Sequence, residues 1–303
     1  MIVRILGSAA GGGFPQLNCA CRLCAGVRVG APGLRSRTQA SVAVSGDGRS
    51  WALLNASPDL REQVASCPAL QPTPAAGLRN SPIGAVVLTN GDIDAVAGLL
   101  SLREGIVFDL LAAAPILETL SANAVFDVLS PQVVTRKALP FDTPTPLVDG
   151  LTVEAYAVPG KTALYLERDA PDHGTREGET IGLAITDTAR GSTFHFIPAC
   201  ARVDAALRRR LAGAQLVLFD GTLHDDDEMI RQGLSSKTGA RMGHLSMSGP
   251  AGSIAALAGL DIARRIFIHI NNSNPVLDEH GPEHAAVRAA GWDIAHDGLE
   301  ITL

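Results

Sequence analysis

No run of 18 or more residues free of charges and helix breakers occurs in this chain, so a membrane-spanning helix is not expected. The opening residues, MIVRILGSAAGGG, go straight into a strand-like segment and lack the charged stretch and long apolar stretch of a secretion leader. Basic charge is scarce as well. With 25 Lys and Arg against 31 Asp and Glu, the net charge is −6 and the pI near 5.7, which leaves no field to gather a nucleic-acid backbone. The run Arg208, Arg209, Arg210 reads as the solvated face of one helix. The dinucleotide fingerprint G-x-G-x-x-G is missing too: GSAAGGG has the wrong spacing, no helical run behind it and no acidic residue at a suitable distance. Five cysteines, an odd number with three inside six residues, do not make a disulfide framework and point to a reducing compartment, taken as cytoplasmic.

What is present is mostly apolar. A composition of 46% hydrophobic and 18% charged residues, with mean hydropathy +0.18, buries a large core without disulfides. At 303 residues the expectation is a single domain, 1–303, made of two βα halves. Short apolar runs predict strands at 2–6, 41–44, 51–55, 85–88, 107–110 and 151–158, then at 181–186, 193–197, 215–220 and 265–270. Helical period predicts a helix that leaves the 90–94 turn and runs on through 97 to 102, helices at 116–122, 204–212 and 253–259, and a short one with Ser57 as N-cap and Pro58 as first helical residue. The polar stretch 167–179 reads as an exposed loop. Helices covering the outer faces of two sheets give a four-layer αββα sandwich; a three-layer α/β fold also satisfies this pattern.

The most informative stretch is 84–104, GAVVLTNGDIDAVAGLLSLRE, in which a buried strand passes through a polar turn into a helix. Asn90, Asp92 and Asp94 stand on alternate residues of that turn, where three oxygen-bearing side chains converge on one cation or where Asp92 or Asp94 simply caps the helix. Cys19, Cys21 and Cys24 are spaced as thiolates around zinc, in a closed site that pins the glycine loop 7–13. Cys67 and Cys200 have no base beside them in sequence, which argues against a catalytic thiol. In FIHINNSNP a strand delivers His269 and then three amides into a turn; LFDGT ends a strand on Asp220; MGHLS puts His244 on a Gly-flanked loop. The acidic run 225–228 reads as solvated helix surface without chemistry.

Taken together, GSAAGGGFPQLNCACRLC, RTQAS, LLNASPDLR, LTNGDIDAVAGLLSLREG, LFDGT, MGHLSMSG and HINNSNP resemble the pyrroloquinoline quinone biosynthesis protein B family, over the whole chain. The resemblance implies the αββα sandwich of the metallo-β-lactamase superfamily. That superfamily's H-x-H-x-D-H motif falls on Asn90, Asp92, Asp94 and Ala95, with Lys161 and Ala199 where a further histidine and a bridging aspartate are usual, so a two-zinc hydrolase is not implied. What is implied is iron-dependent hydroxylation of the cross-linked Glu-Tyr precursor of pyrroloquinoline quinone (PQQ). Asp94 and His269 would be Fe(II) ligands, Asp92 or Asp220 a further ligand or base, and His244 a substrate or proton-transfer residue. Asn90 and Lys161 would border the bound molecule, Lys161 and the glycine-loop N–H groups holding its carboxylates. Ala95 stands where some members carry a histidine, and a histidine there is expected to face the pocket. The same resemblance favours Asn272 as the fourth ligand of the structural zinc, with His269 or water as the alternatives. The alternative is a non-catalytic carrier delivering PQQ or its precursor towards the periplasm; a homodimer is left open.

Overall fold

The structure, a computed structural model, describes residues 1–166 and 177–303. Most of the loop expected at 167–179 therefore lies outside the described residues. The first half of the chain gives β1 (Ile2–Gly7), α1 (Arg22–Arg28), β2 (Ser41–Ser45), β3 (Trp51–Leu54), α2 (Leu60–Ala65), β4 (Ile83–Val87), α3 (Ile93–Val96), β5 (Phe108–Ala112), α4 (Ala114–Ser121) and β6 (Val134–Ala138). The second gives β7 (Thr145–Pro146), β8 (Leu151–Ala157), β9 (Ile181–Asp187), β10 (Thr193–Ile197), α5 (Ala205–Leu211), β11 (Leu216–Asp220), α6 (Glu228–Arg231), α7 (Ser253–Ala256), β12 (Arg265–Ile268), α8 (Pro282–Ala289), β13 (Asp293–Ile294) and β14 (Glu300–Thr302).

Two seven-stranded sheets result, ordered β14-β1-β2-β3-β4-β5-β6 and β13-β12-β11-β10-β9-β8-β7. Each repeats one plan. Antiparallel meanders β1-β2-β3 and β8-β9-β10 lead into parallel runs β3 to β6 and β10 to β13. Parallel strands need crossovers, and the helices supply them on the outer faces. The fold is thus the four-layer αββα sandwich, with the loops that follow the parallel strands gathered along one rim.

Side-chain alternation shows why the sheets are covered on both faces. In β11, Leu216 and Leu218 join the apolar cluster shared by both sheets, whereas Val217 and Phe219 join the cluster under the helices. Ile266 and Ile268 of β12 likewise face the inter-sheet core and Phe267 the helical layer. Alternation breaks at His269, whose φ of +60° is left-handed, and Ile270 then returns to the helix-side cluster. Trp292 closes that outer layer, stacked on Phe267 with ring centroids 4.1 Å apart and edge-on to Phe219 at 6.3 Å.

Several boundaries differ from the sequence reading. The helix after Pro58 starts at Leu60 with Asp59 at the N-cap position, and Ser57 donates from its hydroxyl to Gln63 Oε1 instead of capping. The helix expected at 97–102 is a 3₁₀ segment continuing α3, and α7 ends at Ala256 rather than 259. Helices α1 and α8 and strand β6 carry weak apolar periodicity and were not expected; α1 lies inside the cysteine cluster, and its register is set by tertiary contact. Arg210 is not only a solvated charge, since its guanidinium sits 4.5 Å over the Tyr156 ring. Among the described residues no helix is long and apolar enough to cross a membrane.

Trp292, only 2% exposed, should be a main anchor of the helical layer. Trp292→Ala is expected to lower unfolding free energy by about 3–5 kcal/mol in urea titrations at fixed metal content. A loss below about 1 kcal/mol would show that the layer is held elsewhere.

Candidate active site and metal centres

The rim gathers residues from four strand ends into a cavity of about 340 Å³, bordered by Asn90, Asp92, Asp94, Lys161, His244 and His269, with Ala10, Gly11 and Gln16 from the glycine loop. Gly12 and Gly13 of that loop have φ of +91° and +72°, a conformation that L side chains rarely adopt. Gln39 Oε1 accepts from the Gly12 N–H at 3.0 Å, and Ala10 N–H donates to the Ile270 carbonyl at 2.9 Å, so the loop is tied to both sheets.

Two acid–histidine pairs meet here. His269 Nε2 lies 2.8 Å from Asp94 Oδ2, and His244 Nδ1 lies 2.7 Å from Asp220 Oδ2. The imidazoles stack with centroids 5.2 Å apart. Thr222 joins the pairs: its hydroxyl is 2.8 Å from His269 Nδ1, 3.1 Å from His244 Nδ1 and 2.7 Å from Asp220 Oδ1. Burial works against charge on Asp94, but the hydrogen bond and charge of His269 outweigh it and hold the carboxyl below its ordinary pKa. For His269 burial again opposes charge, and Asp94, with help from Asp220 and Asp92, raises the imidazole above its ordinary value. Donor atoms of Asp220, His244 and His269 lie within 4.8 Å of one another, with Asp94 against His269. Two imidazoles and carboxylates form a donor set that suits a non-haem divalent iron.

The capping alternative for the central turn does not hold. Asp92 occupies the N-cap position of α3 without a capping hydrogen bond, and Asp94 sits in the first turn, committed to His269. Asn90 borders the cavity, but its Oδ1 accepts from the Asp92 N–H at 3.0 Å and so shapes the turn. Ala95 overturns the expectation made for it: its side chain is buried in the apolar cluster that includes the first sheet and its helices and does not border the cavity, so a histidine there would enter packed apolar groups. The second imidazole comes from His244 instead, 149 residues further along by the numbering (244 − 95). Sequence reasoning gave no role to Thr222, Lys237, Arg241 or Gln16. Thr222 alone carried a local sign, an Asp-Gly-Thr turn at a strand end in which Thr222 N–H returns to Asp220 Oδ1 at 3.0 Å.

The cysteines form a second centre. Cys19 and Cys24 are buried and Cys21, half-buried, caps α1 by accepting from the Cys24 N–H at 3.5 Å. Their sulfurs lie within 4.8 Å of one another, and the Asn272 amide is placed against Cys19 and Cys24 at 3.2 and 3.4 Å. Burial opposes the Cys21 thiolate, yet hydrogen bonds from Cys24 N–H and the neighbouring thiols hold its pKa below the ordinary value; burial pushes Cys24 up to about 11. Three thiols with an amide in the fourth position fit a structural zinc, with the amide oxygen turned to the ion.

The acidic run is not all solvated surface. Glu228 is buried, accepting from Ser273 Oγ at 2.7 Å and from the His224 N–H at 2.7 Å, and burial pushes its pKa up to about 7. It therefore braces the 269–274 turn that carries both His269 and Asn272.

Comparison with known proteins fits this geometry. A Beta-lactamase superfamily domain model matches residues 50–270. The coenzyme PQQ synthesis protein B of Methylobacterium sp. (strain 4-46) is 54% identical over 299 residues, 99% of each chain, and that of Xanthomonas campestris pv. campestris (strain B100) 52% identical over all of both. This chain belongs to the coenzyme PQQ synthesis protein B family. The crystal structure of Zn(2+)-bound PqqB from Methylobacterium extorquens superposes on it with TM-score 0.96 and 51% identity, covering 100% of both chains. A diphosphatase of the PhnP family, at 20% identity and TM-score 0.65, shares the fold alone.

Two outcomes are expected. Cys24→Ser should cut zinc, measured by plasma mass spectrometry, from about one per chain to well below half, and lower the melting temperature, because binding free energy at a closed site is folding free energy. A metal-free wild type melting with the zinc-loaded protein would remove the structural role. For Glu228, the unfolded chain releases its proton near pH 4.5 while the folded chain keeps it to about pH 7, so stability falls across that window and stays lower above it. Glu228→Gln should abolish this component, worth on the order of 3 kcal/mol, in urea titrations at pH 5 and pH 8. Equal pH dependence in both proteins would refute it.

Proposed function

We propose that this chain acts in coenzyme PQQ synthesis and that its step is Fe(II)-dependent hydroxylation of the cross-linked Glu-Tyr precursor. The family to which the chain belongs supports the pathway, and the observation that carries the step is the convergence of Asp94, His269 and His244 on one cavity, with the buried Asp220 held against His244. Held among these donors, iron would supply the means to activate dioxygen. Hydroxylation puts one oxygen atom into an aromatic C–H bond and sends the other to water, consuming two protons and two electrons from a reductant outside the chain. Asp94 keeps His269 oriented, and the left-handed backbone at His269 fixes that imidazole at the cavity floor. His244, with Nδ1 tied to the buried Asp220, is left with Nε2 to exchange a proton with the bound molecule. Structural zinc at Cys19, Cys21, Cys24 and Asn272 holds the loop that walls the cavity, a reading supported by the zinc-bound relative.

The test is an anaerobic Fe(II) titration followed by oxygen uptake with the precursor and a chemical two-electron reductant such as ascorbate. Wild type should take up one O₂ per hydroxyl formed. Asp94→Ala should weaken Fe(II) binding roughly 10- to 100-fold. His244→Gln should slow turnover about 10²-fold or more and also lower iron content, because it removes one imidazole of the donor set. A protein that binds PQQ and takes up no oxygen with the precursor, iron present, is a carrier, and the hydroxylase reading fails.

A further inference from the structure

Lysine is rare in this chain, and its distribution is uneven. Of the three lysines, Lys137 is ion-paired with Asp109 at 2.6 Å, while Lys161 and Lys237 both border the active-site cavity, together with Arg241. A molecule of net charge −6 thus places three cations around one small cavity. Lys161 donates from Nζ to the Thr162 carbonyl at 3.1 Å. Lys237 is half-buried like Lys161 but differs in its partners: among the described residues its ammonium has no hydrogen bond or ion pair, and its backbone N–H donates to Ser235 Oγ at 3.1 Å.

The segment that presents it is fixed in place. Gly239 N–H donates to the Asp226 carbonyl at 2.9 Å, Ala240 N–H to Asp226 Oδ1 at 2.7 Å, and Arg241 N–H to Thr238 Oγ1 at 3.1 Å. His244 N–H closes the same segment onto the Gly239 carbonyl at 3.0 Å. The loop that carries the candidate proton-transfer histidine therefore carries two cations in a braced backbone, and a preformed site loses less entropy on binding. Asp92 and Asp94 border the cavity from the β4–α3 turn. Their charge turns an anionic group away from the donor cluster and towards the 235–242 segment, leaving the uncharged part of a ligand beside His269.

The geometry points to Lys237 as the carboxylate-binding, specificity-determining residue of this cavity, with Arg241 beside it, selecting ligands that carry at least two carboxylates. The inference rests on the functional reading above in taking the cavity as the substrate site; the residue assignment is new. A lysine that is merely solvated at the mouth predicts no effect of its removal.

Calorimetric titration of the zinc-loaded full chain separates these. The probes are benzene-1,3,5-tricarboxylate, PQQ and the trimethyl ester of each, at 50 and 300 mM salt. Wild type should bind each acid at least tenfold more tightly than its ester. Lys237→Met should weaken both acids about tenfold or more, leave the esters unchanged and flatten the salt dependence, since a charge-assisted hydrogen bond to an anion is lost. Lys237→Arg should restore most of the loss, and circular dichroism should show both variants folded. Unchanged acid affinity in Lys237→Met, or no preference for acid over ester in wild type, overturns the assignment. Lys237-dependent binding of benzenetricarboxylate with no binding of PQQ sustains the subsite and counts against the PQQ reading.

Discussion

A carboxyl group with no exposed surface has to find all its hydrogen bonds inside the protein, and Asp220 is in that position at the end of a central strand. Its Oδ2 accepts from the Cys200 N–H at 2.9 Å and faces His244, while Oδ1 takes both the backbone N–H and the hydroxyl of Thr222. Satisfying one buried acid thus fixes the loop after β10, the turn after β11 and the histidine loop together. Through Thr222 the same network reaches His269, and through His269 it reaches Asp94 in the other sheet's turn. The two halves meet chemically at this chain of contacts.

The second constraint is the turn 269–274. It opens on a left-handed histidine, a conformation that costs roughly 1–3 kcal/mol and persists only when its surroundings hold it. Asn274 donates to the Gly221 carbonyl, Asn271 to Ser273 Oγ, and Glu228 receives Ser273. Asn272, between them, faces the thiols. One short turn therefore carries a donor of the cavity and a donor of the cysteine centre. A structural metal there stiffens the active site without taking part in it, which gives the cysteine cluster a physical purpose beyond folding.

Relative to the two-metal pattern of its superfamily, the cavity has exchanged three imidazoles and a bridging carboxylate for other groups. Asn90 and Asp92 occupy the leading positions, Lys161 and Ala199 two others, and all four border the cavity. The exchange leaves fewer metal donors and more charge aimed at a ligand.

The sequence by itself determined the long sheet strands, though not β6, β7, β13 or β14, together with the apolar layering and the cysteine spacing, because these depend on side-chain period and on chemistry between near neighbours. It also marked Asp94, His269 and Asp220 as polar residues placed where strands end, and His244 as a histidine on a Gly-flanked loop. Their pairing could not be read there. Asp94 and His269 are 175 positions apart, and only the folding of two sheets against each other brings their atoms to 2.8 Å. Nor could the burial of Ala95, which follows from how α3 packs into the apolar cluster of the first half, or that of Glu228, an acid in an acidic run whose side chain alone turns inward to Ser273. Local sequence decides which groups a strand end can offer; tertiary packing decides which of them face one another, because distance in space between remote segments is set by the sum of all the contacts that close the core.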